Sequence, residues 1–397
     1  MIRKIGLEHF KCFKDLTTFE CGPINVFMGA NGLGKSSVFQ SILLISQSVL
    51  KNKDIDPLLV NGQYVCLDKF NDLLYTDGPK SIFRDFSINI DYEAKEAVRS
   101  LCLTYSKKSS REGSLSDINV NGESKFGAIQ GLGKQVGQRK NGKAAVYKKE
   151  EIVRLFNQTT YISASRLGPT RREAIDDPYA SNRTGKDGEH RLNVLINLGK
   201  LYRLPIDNDK HSLKDTVNYW MNEILNGFTI NVHGIEDDQA DVLSLRIIRP
   251  DGKTGYKAIN SGFGYSYVLS VIEAILLSTT TCPVFIENPE AHLPPAAQSR
   301  LAKLIIWAAK SGRQIFIETH SEHVLDGLRV WVTKDDALKQ TDLCIHYFNM
   351  DGTTTQMHMD KFGFLEEEAP KGFCDQATVN GLELFKLKFR EEQLNEH

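Results

Sequence analysis

The chain has 397 residues, 41% hydrophobic and 25% charged, with 49 basic against 50 acidic side chains and a net charge of −1. That balance excludes a global field pulling the protein toward nucleic acid or an anionic membrane, so any such contact must be a local patch. Seven cysteines, odd in number and without a C-x-x-C pair, argue against a disulfide framework or zinc site and for reduced thiols.

In chain order, Ile24-Asn25-Val26-Phe27-Met28 reads as a short buried strand, and Val38, Ile42, Ile45 and Val49 recur at helical spacing. Between them, Gly29-Ala30-Asn31-Gly32-Leu33-Gly34-Lys35-Ser36 satisfies G-x-x-x-x-G-K-S/T, a phosphate-binding loop, with Ser37 following it. The glycines let successive N–H groups turn onto phosphates at a helix N-terminus. Lys35 neutralises phosphate charge and the Ser36 hydroxyl ligates Mg²⁺.

Residues 82–106 alternate polar and apolar positions and predict antiparallel strands joined by a turn. From Ser106 to Lys149 the composition shifts to Gly, Ser, Asn and Lys, with Lys134, Arg139, Lys140, Lys143, Lys148 and Lys149 lacking interspersed acids. This reads as a mobile, solvated basic insertion rather than a nucleic-acid surface, because charge with so little aromatic interleaving is weak evidence for one. Residues 174–190 read as a loop, followed by a helical segment rich in Leu and Tyr. Ser261-Gly262-Phe263-Gly264 forms a Gly-rich turn opening an amphipathic helix. Pro283-Val284-Phe285-Ile286-Glu287 is an apolar strand ending in a carboxylate, the Walker B pattern, followed by Asn288-Pro289-Glu290-Ala291-His292-Leu293. Gln314-Ile315-Phe316-Ile317-Glu318-Thr319-His320-Ser321 is another buried strand, ending in a histidine before a Ser-capped helix. Cys344 to Met359 alternates around Asp351-Gly352 as a β-hairpin, and Leu382 to His397 reads as a helix. The chain start lacks the apolar core of a signal peptide and no run of about 18 apolar residues occurs, so a cytoplasmic protein without membrane contact is expected. Asp207-Asn208-Asp209 is an isolated acidic stretch, and no nuclease constellation is apparent.

Each piece is common singly; their order is not. Phosphate loop, long interval, Gly-turn helix, acidic strand and His-ended strand resemble the nucleotide-binding head of ABC-type ATPases, particularly the RecF, SMC and overcoming-lysogenization-defect group. Leu7-Glu8-His9-Phe10-Lys11-Cys12-Phe13 is also similar to that group. Tyr161 to Pro169, Glu287 to Leu293, Glu318 to His323 and Pro370-Lys371-Gly372-Phe373-Cys374-Asp375-Gln376 look like a bacterial subfamily with a C-terminal domain of unknown function, of the kind found in antiphage defence operons.

The resemblance implies an α/β fold: an ABC-type P-loop NTPase head, a mixed sheet with flanking helices plus an antiparallel β subdomain. A head over 1–343, interrupted by the 106–149 insertion and a partly helical 150–255 insertion, precedes a small α+β extension at 344–397. It also implies a composite ATP site. Gly29, Ala30, Asn31, Gly32, Gly34, Lys35, Ser36 and Ser37 hold ATP; Ser36 and, through water, Glu287 place Mg²⁺; His320 contacts the γ-phosphate. Ser261, Gly262 and Gly264 close over the nucleotide of a facing subunit, so hydrolysis requires a homodimer or higher oligomer. Gln63 is a candidate for the glutamine that contacts Mg²⁺ in such heads.

One departure bears on rate. The usual Asp-Glu pair reads Glu287-Asn288, and an amide cannot accept the proton of an attacking water. Glu290 is a candidate substitute, His292 a weaker one, and Asn288 can instead orient the water. Slow ATP turnover is expected. The leading reading is an ATP-switched dimer controlling an effector such as a nuclease. A RecF-like repair ATPase that binds duplex through 134–149, and a non-enzymatic module glued by ATP, are the alternatives.

Overall fold

The computed structural model describes residues 1–78, 83–94, 97–124, 149–175, 183–200, 202–206, 209–235, 242–368, 370, 373 and 379–386. Three sheets and a two-stranded hairpin organise the described residues. An antiparallel sheet holds β1 (Ile2–Glu8), β2 (Thr17–Glu20), β4 (Leu58–Leu59), β5 (Asp85–Ala94), β6 (Ala97–Lys107) and β7 (Glu112–Val120), in the order β2-β1-β5-β6-β7-β4, with β8 (Glu123–Ser124) on β7. The main sheet runs β19-β18-β3-β17-β16-β9, built from β3 (Ile24–Gly29), β9 (Thr160–Ile162), β16 (Val284–Glu287), β17 (Ile315–Glu318), β18 (Leu343–Phe348) and β19 (Thr354–Met357). All its pairings are parallel except that of β18 with β19. A small antiparallel sheet joins β10 (Glu173–Ala174), β13 (Thr229–Ile235), β14 (Val242–Ile248) and β15 (Gly255–Lys257), while β11 (Arg203–Ile206) and β12 (Asp209–Ser212) form a hairpin.

There are helices α1 (Lys35–Asn52), α2 (Lys149–Phe156), α3 (Arg191–Leu198), α4 (Leu213–Ile224), α5 (Phe263–Leu277), α6 (Pro295–Lys310) and α7 (Glu322–Lys334), of which α1, α5, α6 and α7 pack on the main sheet, α2 on α1, and α3 and α4 on α5 and the small sheet. Alternate side chains of a strand point to opposite faces, so each strand of the main sheet serves two cores. Phe27, Phe285, Phe316 and Phe348 pack on the α1 side, where Phe39 meets Phe285 at 5.0 Å between ring centroids. Ile24, Val26, Ile286 and Ile317 pack with the apolar residues of α5, α6 and α7 on the other face. Ser321 caps α7 as expected, its Oγ accepting from the Val324 N–H. Of the cysteines, the six described are free thiols, three of them buried.

Three expectations meet a different outcome locally. The segment read as a solvated insertion from Ser106 contains the end of β6 and all of β7 and β8. Leu115 and Ile118 enter the core there while their neighbours stay partly exposed, and a half-solvated strand needs only such sparse apolar positions. Lys134, Arg139, Lys140, Lys143 and Lys148 lie outside the described residues. The stretch 150–255, expected to be a partly helical insertion, supplies strands as well as α2, α3 and α4, and β9 is an edge of the main sheet. The hairpin expected at 344–359 exists, but its first strand pairs in parallel with β3, making it continuous with the main sheet.

Within the loop expected at 174–190, 176–182 lie outside the described residues. Residues 379–386 are helical, and the rest of the expected terminal helix lies outside the described residues. Of the 370–376 motif, Phe373 is buried against Tyr347 at 5.1 Å. Among the described residues no helix is long and apolar enough to cross a membrane.

Candidate nucleotide-binding site

Gly29, Gly32 and Gly34 have φ of +128°, +80° and +107°, the left-handed region that glycine enters without strain. Space matters as well. A Cβ at Gly29 would lie 2.4 Å from the Phe348 carbonyl oxygen, and one at Gly34 would lie 2.5 Å from Cys12 Sγ. No side chain caps α1, so its first amides are left to an anion. Lys35 folds back, Nζ donating to the carbonyls of Gly29 at 3.0 Å and Ala30 at 2.7 Å. A cavity of about 380 Å³ opens over the loop, lined by Asn31, Gly32, Gly34, Lys35, Ser36 and Ser37 together with Lys11, Cys12, Gln40 and Glu318.

The β3, β17 and β16 strand ends are neighbours, with Glu318 paired to Phe27 on one side and to Glu287 on the other. The Ser36 hydroxyl donates to Glu318 Oε1 at 2.9 Å, and Glu318 Oε2 is buried without a partner. Burial pushes the Glu318 carboxyl up to about 7, against the pull of Ser36 and Lys35. Glu287 sits differently. Its Oε1 accepts from the Tyr161 hydroxyl at 2.9 Å and its Oε2 from the Ala164 N–H at 3.1 Å. Burial raises the Glu287 carboxyl and raises the Tyr161 phenol, which keeps the latter a donor.

Arg166 fixes the turn after Walker B. Its Nη1 donates to the carbonyls of Ser163 at 3.0 Å and Glu287 at 2.7 Å, and its Nη2 to that of Asn288 at 2.5 Å. Burial lowers its guanidinium only to about 10, so it stays charged at neutral pH. Asn288 has φ +44°, with its N–H donating to the Glu318 carbonyl at 2.7 Å. Glu290 Oε1 accepts from the His320 N–H at 3.1 Å, and its Oε2 is buried without a partner. The exposed His320 is pushed below its ordinary value by burial and by Lys35, with Glu290 opposing.

The Gly-rich turn lies elsewhere. Ser261 Oγ donates to the Ala258 carbonyl at 2.5 Å, and Gly262, exposed, caps α5 without a side-chain bond. Phe263, 50% exposed, packs on the His292 ring at 5.2 Å, and Arg166 lies 5.2 Å from the Tyr267 ring centroid. A Cβ at Gly264 would lie 2.6 Å from the His292 carbonyl oxygen, so this turn docks tightly on the loop after Walker B. None of Ser261, Gly262 and Gly264 lines the cavity of the chain's own phosphate loop. Gln63 is exposed and also absent from that lining, where Gln40 appears.

Among the described residues no three His, Cys, Asp or Glu side chains form a metal cage. That suits Mg²⁺, which keeps waters and is held by one or two protein groups plus substrate phosphates. The Ser36 hydroxyl and an orphaned carboxylate oxygen beside it fit such an ion. Sequence reasoning did not single out Glu318, Tyr161 or Arg166 for roles, although all three lie within the quoted motifs.

A phosphate loop between parallel strands, an acid-ended strand one position away and an antiparallel lobe define an ABC-type P-loop ATPase head. The chain belongs to the AAA ATPase domain family, whose model matches residues 104–325. Among solved structures it is similar to an SMC head bound to the C-terminal winged-helix domain of ScpA, with 14% identity and a TM-score of 0.52 over 91% of this chain and 98% of that one. An SMC head with an extended coiled coil, bound to the C-terminal domain of ScpA from Pyrococcus furiosus, is similar at 11% identity and a TM-score of 0.50, covering 89% and 95%. These likenesses show the fold. Comparison with curated proteins yields no match.

Proposed function

We propose that the protein binds ATP with Mg²⁺ at Gly29 to Ser37 and hydrolyses it slowly, acting as a dimeric switch that controls a partner effector such as a nuclease in bacterial defence. The observation carrying this reading is the division of the site. Lys35 is bonded to its own loop carbonyls, ready to exchange them for phosphate oxygens, while the Gly-rich turn, half-buried at Ser261 and exposed at Gly262, stands outside that cavity. A second copy supplying its turn covers the γ-phosphate and excludes water, which stabilises the transferring charge. Bound Mg²⁺ would neutralise phosphate charge. His320, close enough to Lys35 to feel its charge, is suited to the γ-phosphate.

Slow turnover follows from the amide at Asn288, which orients a water without accepting its proton. Glu290, with one carboxylate oxygen unengaged, is the substitute acceptor. Heads of this fold bound to ScpA domains make a docked partner protein a reasonable output for the switch.

The test is phosphate release measured beside mass by light scattering, with and without ATP, for wild type and Lys35→Ala. ATP-dependent dimerisation with slow release, both lost in Lys35→Ala, is expected. A constant mass with no ATP response would overturn the switch, whereas salt-dependent duplex binding would favour the repair reading.

A further inference from the structure

We infer that the protein carboxylate of the Mg²⁺ site is Glu318, at the end of β17, and that Glu287, at the Walker B position, is spent on holding the 161–166 segment. This rests on the nucleotide-binding reading above and goes beyond it by reassigning a ligand.

Three observations converge. Glu318 lines the cavity over the phosphate loop, and Glu287 does not. Ser36 donates its proton to Glu318 Oε1 at 2.9 Å, which leaves the hydroxyl lone pairs free for a cation. Glu318 Oε2 is buried with no protein partner, an arrangement that native structures rarely tolerate without an ion, a ligand or an ordered water to engage it. Glu287 has no such vacancy, since Oε1 takes the Tyr161 hydroxyl and Oε2 the Ala164 amide.

The sheet order explains the difference. β17 lies between β3 and β16, so its terminal side chain is one strand from the phosphate loop and that of Glu287 is two, a step of about 4.8 Å. The register sets Glu287 opposite Glu318 on neighbouring strands, and their different hydrogen-bond partners turn the two carboxylates to different places. Glu318 stands beside Ser36, and Glu287 beside Tyr161.

The experiment compares full-length wild type, Glu318→Gln, Glu318→Asp and Glu287→Gln. Mn²⁺ binding in the presence of ATP is followed by electron paramagnetic resonance, and ATP affinity with and without Mg²⁺ by calorimetry. Glu318→Gln is expected to weaken Mn²⁺ binding by roughly tenfold or more and to lose the Mg²⁺-dependent part of ATP affinity while keeping the Mg²⁺-free part. Glu318→Asp, which retains a carboxylate, recovers part of the Mn²⁺ affinity, and Glu287→Gln binds Mn²⁺ about as wild type does. The reverse pattern, Mn²⁺ binding lost in Glu287→Gln and kept in Glu318→Gln, would overturn the assignment. ATP binding without any Mg²⁺ dependence in wild type would also overturn it. Absence of ATP binding in wild type would instead overturn the nucleotide reading beneath it.

Discussion

Arg166 Nη2 donates to the Asn288 carbonyl at 2.5 Å, so one buried guanidinium sets the backbone of the residue that stands where a general base is expected. The same group reaches the Glu287 carbonyl and lies against the Tyr267 ring of α5, tying the Walker B turn to the helix of the Gly-rich turn.

A lysine cannot reproduce that fork. Arg166→Lys is therefore expected to leave carbonyls unpaired, costing about 2 kcal/mol, and to slow phosphate release at least tenfold. Urea unfolding and phosphate release check both, and a variant with wild-type turnover would sink the coupling.

Lys35 can be tested without turnover. ATP at about 100 times its dissociation constant stabilises a binding protein by about 2.7 kcal/mol. Wild type should show that gain in thermal unfolding, and Lys35→Ala should show none.

Asn288 occupies the left-handed region, where asparagine is tolerated better than glutamate. Asn288→Glu is expected to raise phosphate release by roughly tenfold through added general-base capacity, while costing about 1 kcal/mol of stability from backbone strain. Unchanged turnover would mean that the amide does not limit the rate.

Gly262 and Gly264 separate packing from partner contact. A Cβ at Gly262 meets nothing within 4 Å, whereas one at Gly264 would press on the His292 carbonyl. Gly262→Ala should melt as wild type does and lose ATP-dependent dimerisation. Gly264→Ala should lower the melting temperature as well. Calorimetry and light scattering distinguish them.

His346 supplies a pH dependence. It is 2% exposed, stacks on Phe27 and donates from Nε2 to the Glu20 carbonyl at 2.9 Å. Burial pushes its imidazole down to about 4 from 6.5. The folded state therefore binds fewer protons than the unfolded chain between those values. Its contribution is fully present above pH 6.5 and is lost as pH falls toward 4, by about 3 kcal/mol. His346→Gln, which keeps a donor and takes no proton, should flatten that part of the stability curve in urea unfolding at pH 7.5 and 4.5.

The phosphate loop was legible because its chemistry is contiguous: the positive φ values at Gly29, Gly32 and Gly34 call for glycine, and Lys35 and Ser36 follow within one helical turn. The strand ending at Glu287, the Ser321 cap and the 344–359 hairpin were legible for the same local reason, a period or a cap inside a few residues. Strand neighbours were not. That β17 lies between β3 and β16, that β9 edges the main sheet, and that β18 joins it rather than beginning an extension are pairings across long sequence separations. Local periodicity carries no information on them. Tertiary structure alone therefore decided that Ser36 meets Glu318 while Glu287 turns to Tyr161, because which carboxylate reaches the phosphate loop depends on strand order, and strand order is set by burying both faces of the sheet at once.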